Sequence, residues 1–177
     1  KDKVDLGNGL PKTTFGFNLS CDWKGIDLSL NFTGAAGFKI AQSYRDPNSS
    51  QGNYSRAILD RWTGEGTSNK IPRVTYGDVG NWQFSDLYLQ KGDYIRLQDL
   101  TLGYDFKKLI AWKGISKLRL YFQVKNLFTL TKYDGMDPEI GSYNGTDGNS
   151  SDTWVSGVDM GYYPHPRTFI VGASISF

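Results

Sequence analysis

The sequence predicts an all-β fold, an antiparallel transmembrane β-barrel, and three observations carry that prediction. Apolar and polar residues alternate over runs of about ten, the period of a strand with one apolar and one polar face. Short turns and very long loops alternate between these runs, the habit of outer-membrane barrels. Aromatic residues, which make up 15% of the 177 residues as 10 Phe, 11 Tyr and 5 Trp, gather near the ends of the runs, where interfacial girdles sit. The mean hydropathy is −0.46, and no run of 18 apolar residues occurs, so a transmembrane helix is excluded. A barrel is not, because only half of each spanning strand is apolar. The net charge of +2 is too small for a nucleic-acid footprint. One Cys forbids an internal disulfide.

The first run is Thr13 to Trp23, with Phe15, Phe17, Leu19, Cys21 and Trp23 on one face and Gly16, Asn18, Ser20 and Asp22 on the other. Lys24-Gly25 makes a tight turn, and Ile26, Leu28, Leu30 and Phe32 continue the apolar face. Together they read as a β-hairpin with strands at about 12–23 and 26–36. Residues 37–92 lose the alternation and are rich in Gly, Pro, Asn and Ser, so they read as a long loop, with a short helix over Tyr54–Thr63. Alternation resumes over about 93–106, where Leu100, Leu102, Tyr104 and Phe106 share a face but Ile95 and Leu97 have the opposite parity. That break means either a bulge or a strand end leaving the apolar environment. After a connection over Lys107–Gly114 comes a strand at about 116–129, with Leu118, Leu120, Phe122 and Val124 apolar and Arg119 and Lys125 on a face that must be wet. A second long loop covers 130–164. The last strand runs from about 167 to 177, with Phe169, Val171, Ala173, Ile175 and Phe177 on one face.

Five strands do not close a barrel, and an open sheet would leave unpaired backbone groups in lipid. The expectation is therefore a fragment, or a sheet completed by another chain. The start at Lys1-Asp2-Lys3, without a signal-peptide pattern, fits a removed targeting signal or part of a longer polypeptide. Loops 37–92 and 130–164 are expected outside the cell and the C-terminus in the periplasm.

Three segments resemble a known family. Tyr94-Ile-Arg-Leu-Gln-Asp-Leu-Thr-Leu-Gly-Tyr104, the run from Leu118 through Asn126-Leu127-Phe128 to Asp137-Pro138-Glu139, and Gly157-Val-Asp-Met-Gly-Tyr-Tyr-Pro-His-Pro-Arg-Thr-Phe169 with the terminal Phe177 resemble SusC/RagA-type TonB-dependent outer-membrane transporters. The hairpin containing Lys12-Thr-Thr-Phe-Gly-Phe-Asn18 fits as well. The resemblance implies that residues 1–177 are roughly the last five strands of a 22-stranded barrel, a size class whose lumen is plugged, with the plug absent here. It implies import of glycans or peptides across the outer membrane of a Gram-negative cell. The energy would come from the TonB complex, contacted through an absent N-terminal part, and a SusD-like surface lipoprotein would form a lid. It implies no enzyme activity and no cofactor. Phe169, Val171, Ala173, Ile175 and Phe177 would form the barrel-assembly signal, read by strand addition, besides facing lipid.

Other residues are weighed directly. Tyr54, Trp62, Trp82, Tyr143, Trp154, Tyr162 and Tyr163 are candidates for contact with a sugar ring or lid, against packing within the loops. Arg96, Asp105, Arg119 and Lys125 face the lumen, either lining a solute path or forming an ion-pair ladder between neighbouring strands, with the ladder favoured. Asp134, Asp137 and Glu139 are spaced neither for an EF-hand nor convincingly for catalysis. His165 is the single His, and with the distant Cys21 it makes no zinc site. Two alternatives stand beside the importer: a TonB-dependent siderophore or vitamin receptor, and a soluble carbohydrate-binding β-sandwich. The sandwich would pack the apolar faces against a second sheet.

Overall fold

The structure is a computed structural model that describes residues 3–43, 56–74, 85–109, 113–140 and 156–177. Eight strands are present among them: β1 (Thr13–Trp23), β2 (Ile26–Ala36), β3 (Lys39–Gln42), β4 (Leu89–Lys91), β5 (Tyr94–Asp105), β6 (Lys117–Thr131), β7 (Val158–Asp159) and β8 (Thr168–Ser176). They form two sheets in two compact units.

The larger unit comprises residues 11–38, 92–139 and 163–177. It is a five-stranded antiparallel sheet in the order β1-β2-β5-β6-β8. The β1–β2 turn closes on Lys24 (φ 49°) and Gly25 (φ 95°). Positive φ at both central residues is what a type I′ turn demands, and its twist matches that of the flanking strands. Register then carries the alternation across the sheet. Cys21, Leu28, Leu102, Phe122 and Val171 form one apolar row, and Trp23, Ile26, Tyr104, Leu120 and Ala173 form the next.

The parity break in β5 is a bulge. Asn31 pairs with Asp99 and Phe32 with Leu97, so Gln98 is the extra residue. On the other side β6 sets Asn126 and Leu127 against that one residue. Asn126 takes φ 53°, a left-handed conformation that Asn tolerates better than most residues. The bulge returns Leu97 and Ile95 to the apolar face, opposite Phe128 and Leu130.

The second unit comprises residues 1–10, 39–91 and 140–162. Its sheet has the order β4-β3-β7, with β3 and β7 parallel. These strands lie where the sequence reads only as loop: at two to four residues they are too short to show a period. Ile40 is fully buried there, and Asp159 is buried with its carboxylate accepting the Gly161 N–H (2.8 Å) and the Tyr162 N–H (3.2 Å). Gly9 and Gly157 face each other so closely that a Cβ on Gly157 would lie 2.6 Å from the Gly9 Cα. Of the short helix expected over 54–63, Arg56–Asp60 forms a 3₁₀ turn, and Tyr54 lies outside the described residues.

Candidate lipid-facing surface and polar cluster

The five-stranded sheet has two chemically different faces. On the apolar face large side chains remain open: Phe17 is 56% exposed, Leu102 46%, Phe169 61% and Val171 81%. Cross-strand ring contacts organise it, with Phe17 and Phe32 6.0 Å apart and Phe122 and Phe169 stacked at 6.2 Å. A sandwich would bury this face against a second sheet; such exposure of contiguous apolar rows marks a surface that meets lipid or a partner.

The opposite face carries Asp27, Asp99, Thr101, Arg119, Gln123 and Lys125. Arg119 pairs with Asp27, its Nε donating to Oδ1 at 2.7 Å and its Nη2 to Oδ2. This corrects the expected ladder between neighbouring strands: the partner is on β2, beyond β5, rather than Asp105 directly opposite. Gly103 makes the long reach possible. A Cβ there would lie 2.6 Å from Arg119 Nε, so the guanidinium passes over a residue without a side chain. Next to it the Tyr121 ring covers Gly172, and the Arg119 guanidinium carbon lies 5.0 Å from the Tyr121 ring centroid. Asp105 instead accepts the Lys107 N–H (3.0 Å) and ends the strand. Lys125 stands opposite Asp99 and Thr168, and Gln123 donates to Asp99 (2.9 Å).

Beyond the bulge, a second cluster gathers on Asp137, which is 6% exposed. Arg96, 3% exposed, reaches it through Nη2, donates to Glu139 through Nη1 (2.7 Å) and to Thr129 Oγ1 through Nε (2.9 Å). Asp137 Oδ1 also accepts the Glu139 N–H (2.9 Å), and Oδ2 accepts the His165 N–H (3.1 Å). His165 Nδ1 lies 3.0 Å from the same oxygen. Burial pushes the Asp137 carboxyl up, but the N–H of Glu139, the His165 side chain and backbone, and the Arg96 charge together hold it below its ordinary value. The cluster ties β5 and β6 to the segment leaving β6 and the segment entering β8. Asn126 adds a further tie by donating to the Pro166 carbonyl (3.1 Å). A cavity of about 260 Å³ lies beside it, lined by Thr129, Met136, His165 and Arg167 among others.

Sequence reasoning singled out Arg96, the acidic group Asp134, Asp137 and Glu139, and His165 separately but did not join them. The signal was there in Arg96, a cation on a strand, and in the Asp137-Pro-Glu139 turn, but only the fold brings residues 41 and 28 positions from Asp137 into contact with it. Among the described residues no group of His, Cys, Asp and Glu is arranged to hold a metal.

The remaining candidates are scattered. Trp62 is 41% exposed, on a turn where its N–H bonds the Ile71 carbonyl (2.9 Å). Tyr163 is 89% exposed, and Tyr162 is half-buried. Tyr54, Trp82, Tyr143 and Trp154 lie outside the described residues. On β8, Phe169, Val171, Ala173 and Ile175 pair with Val124, Phe122, Leu120 and Leu118, and Phe177 beyond them is 91% exposed.

Comparison with known proteins gives one consistent answer. The chain is 31% identical over 99% of its length to a TonB-dependent receptor of Formosa agariphila, of which it covers 17%. It is 28% identical over 92% of its length to the TonB-dependent receptor SusC of Bacteroides thetaiotaomicron, of which it covers 15%. Among solved structures it matches the RagAB peptide transporter with a TM-score of 0.74 at 26% identity, covering 98% of this chain and 18% of that one. The closed-closed state of the RagAB peptide importer gives 0.72 at 25% identity, covering 99% of this chain and 18% of that one. No protein-family model matches the chain. The chain thus spans less than a fifth of the length of these curated relatives, and the segment it matches has the fold of a transporter barrel wall.

Proposed function

We propose that this chain, related along its whole length to TonB-dependent receptors of the SusC and RagA kind, is the closing part of the barrel of an outer-membrane nutrient importer. Residues 1–177 form about the last five of its strands. The observation that carries the reading is an apolar face that runs across five strands with Phe17, Leu102, Phe169 and Val171 left open, backed by an ion-paired polar face. An eleven-residue strand at about 3.4 Å per residue is about 37 Å long; tilted by about 45° it spans about 26 Å, the height of the apolar band of such barrels. The free edges of β1 and β8 are joined by the other strands of the barrel, since an open edge in hydrocarbon is costly. The polar face, with Arg119, Lys125 and Asp105, lines the lumen. The short turns and the C-terminus face the periplasm, and loops 37–92 and 130–164 face outward. There the loop aromatics Trp62, Tyr162 and Tyr163 are available to a glycan or peptide or to a SusD-like lipoprotein. Import is driven by the TonB complex acting on parts of the receptor beyond this segment.

The test is made on the complete receptor in its native cell. Fractionation should place it in the outer membrane, released only by detergent and co-purifying with a surface lipoprotein. Its deletion should abolish growth on a glycan or peptide mixture while sparing growth on monosaccharides and amino acids. A receptor soluble without detergent, or a deletion that impairs only siderophore-dependent growth, would overturn the proposal.

A further inference from the structure

The apolar face is not uniform at its short-turn end. Ile26, Leu102, Tyr104, Phe106, Leu120 and Val171 line a shallow apolar groove of about 500 Å³. All but Val171 and Phe106 belong to β2, β5 and β6, the inner strands of the sheet, so neighbouring strands at the free edges are not needed to shape it. Tyr104 and Phe106 meet edge to face at 4.8 Å and wall its lower end.

Charge is distributed unevenly about this groove. The segments 22–27 and 105–119, at the short-turn end, carry Lys24, Lys107, Lys108, Lys113, Lys117 and Arg119 against Asp22, Asp27 and Asp105. Of those acids, Asp27 is engaged by Arg119 and Asp105 by the Lys107 N–H. The Lys24 ammonium sits 4.7 Å from the centroid of the Trp23 ring, and Trp23 pairs with Ile26 of the groove. An aromatic ring and a lysine side by side at a strand end form a headgroup-level anchor. Lys113 is exposed at the same end. By contrast, residues 130–164 carry Asp134, Asp137, Glu139, Asp147, Asp152 and Asp159 against Lys132 alone.

We propose that this groove holds an acyl chain of an anionic phospholipid whose headgroup is bound at the short-turn end by Lys24, with Lys113 adding to the attraction. The apolar slot takes the chain, and the local excess of lysine selects the headgroup by attraction to its negative charge. The inference rests on the membrane reading above and deepens it by naming a lipid class and a place.

The experiment offers the complete receptor, stripped in detergent, equal amounts of phosphatidylglycerol and phosphatidylcholine and counts retained lipid by native mass spectrometry. The wild type should retain phosphatidylglycerol at least threefold over phosphatidylcholine. Leu102→Trp and, separately, Leu120→Trp fill the groove and should lower retention at least threefold, while Lys24→Glu should keep a lipid but lose the headgroup preference. Equal retention of both lipids by the wild type, or unchanged retention in both tryptophan variants, overturns the proposal and leaves the membrane reading standing. A receptor that never enters a bilayer overturns both.

Discussion

Asp137 is the residue whose loss should loosen the structure most for a single polar change. Replacing it with Ala leaves the Arg96 guanidinium, 3% exposed, with one carboxylate, Glu139, that is itself 47% exposed. It also strips acceptors from the Glu139 and His165 N–H groups. Removing one partner of a buried pair costs about 3–5 kcal/mol because the other charge stays buried. The cost falls on the joint between the segment leaving β6 and the segment entering β8. It should therefore register as local opening rather than loss of the sheet. At about 1.4 kcal/mol per factor of ten, amide exchange within 133–139 and 163–167 should accelerate by about a hundredfold to a few thousandfold in Asp137→Ala of the complete receptor. Glu139→Gln removes a half-exposed contact worth about 0.2–1 kcal/mol and should accelerate exchange less than about sixfold. Equal acceleration in the two variants, or less than threefold in Asp137→Ala, would refute the assignment of Asp137 as the hub.

Other expectations concern pH, the glycine crossing and the two faces. Because the native Asp137 carboxyl titrates below its ordinary value, its contribution is fully present above the unfolded value of about 3.9 and is lost as pH falls through the lower native one; exchange within 163–167 should rise below about pH 4 in the wild type and stay flat in Asp137→Asn. Gly103→Val should displace Arg119 from Asp27 and cost about 1–3 kcal/mol by overpacking, whereas Gly16→Val, whose Cβ has only the Phe32 carbonyl at 3.8 Å, should change little; thermal melting in detergent compares them. Leu100→Arg on the apolar face should destabilise the inserted barrel by about 2–4 kcal/mol if it lies at mid-membrane, and Thr101→Arg on the other face by much less, as read by chemical unfolding in liposomes.

Much of the sheet was legible because its rule is local. The β1–β2 hairpin followed from a period of two and a Lys-Gly turn, and the paired parity of β6 and β8 from the same count. The break between Leu97 and Leu100 was visible as well, but choosing a bulge over a strand exit needed the pairing partners, since only β2 and β6 show which residue is extra. The polar cluster was not legible. Arg96 meets Asp137 and Glu139 only because the chain turns back after β6, and Arg119 skips a strand to reach Asp27 only because register places Gly103 between them. The short strands β3, β4 and β7 left no period to count. The loop aromatics Trp62, Tyr162 and Tyr163 were visible as residues but not as a site, since a period of two says nothing about residues outside long strands.

The central claim is that one face of the five-stranded sheet meets lipid and the other meets water. Spin labels at single positions along β5 of the complete receptor in liposomes test it directly. Labels at 95, 100, 102 and 104 should be relaxed by oxygen dissolved in lipid, and those at 99 and 101 by an aqueous nickel reagent, so that the alternation changes phase across Gln98. The account is contradicted if both sets are shielded from both reagents, as between two packed sheets, or if the alternation runs through Gln98 without a shift.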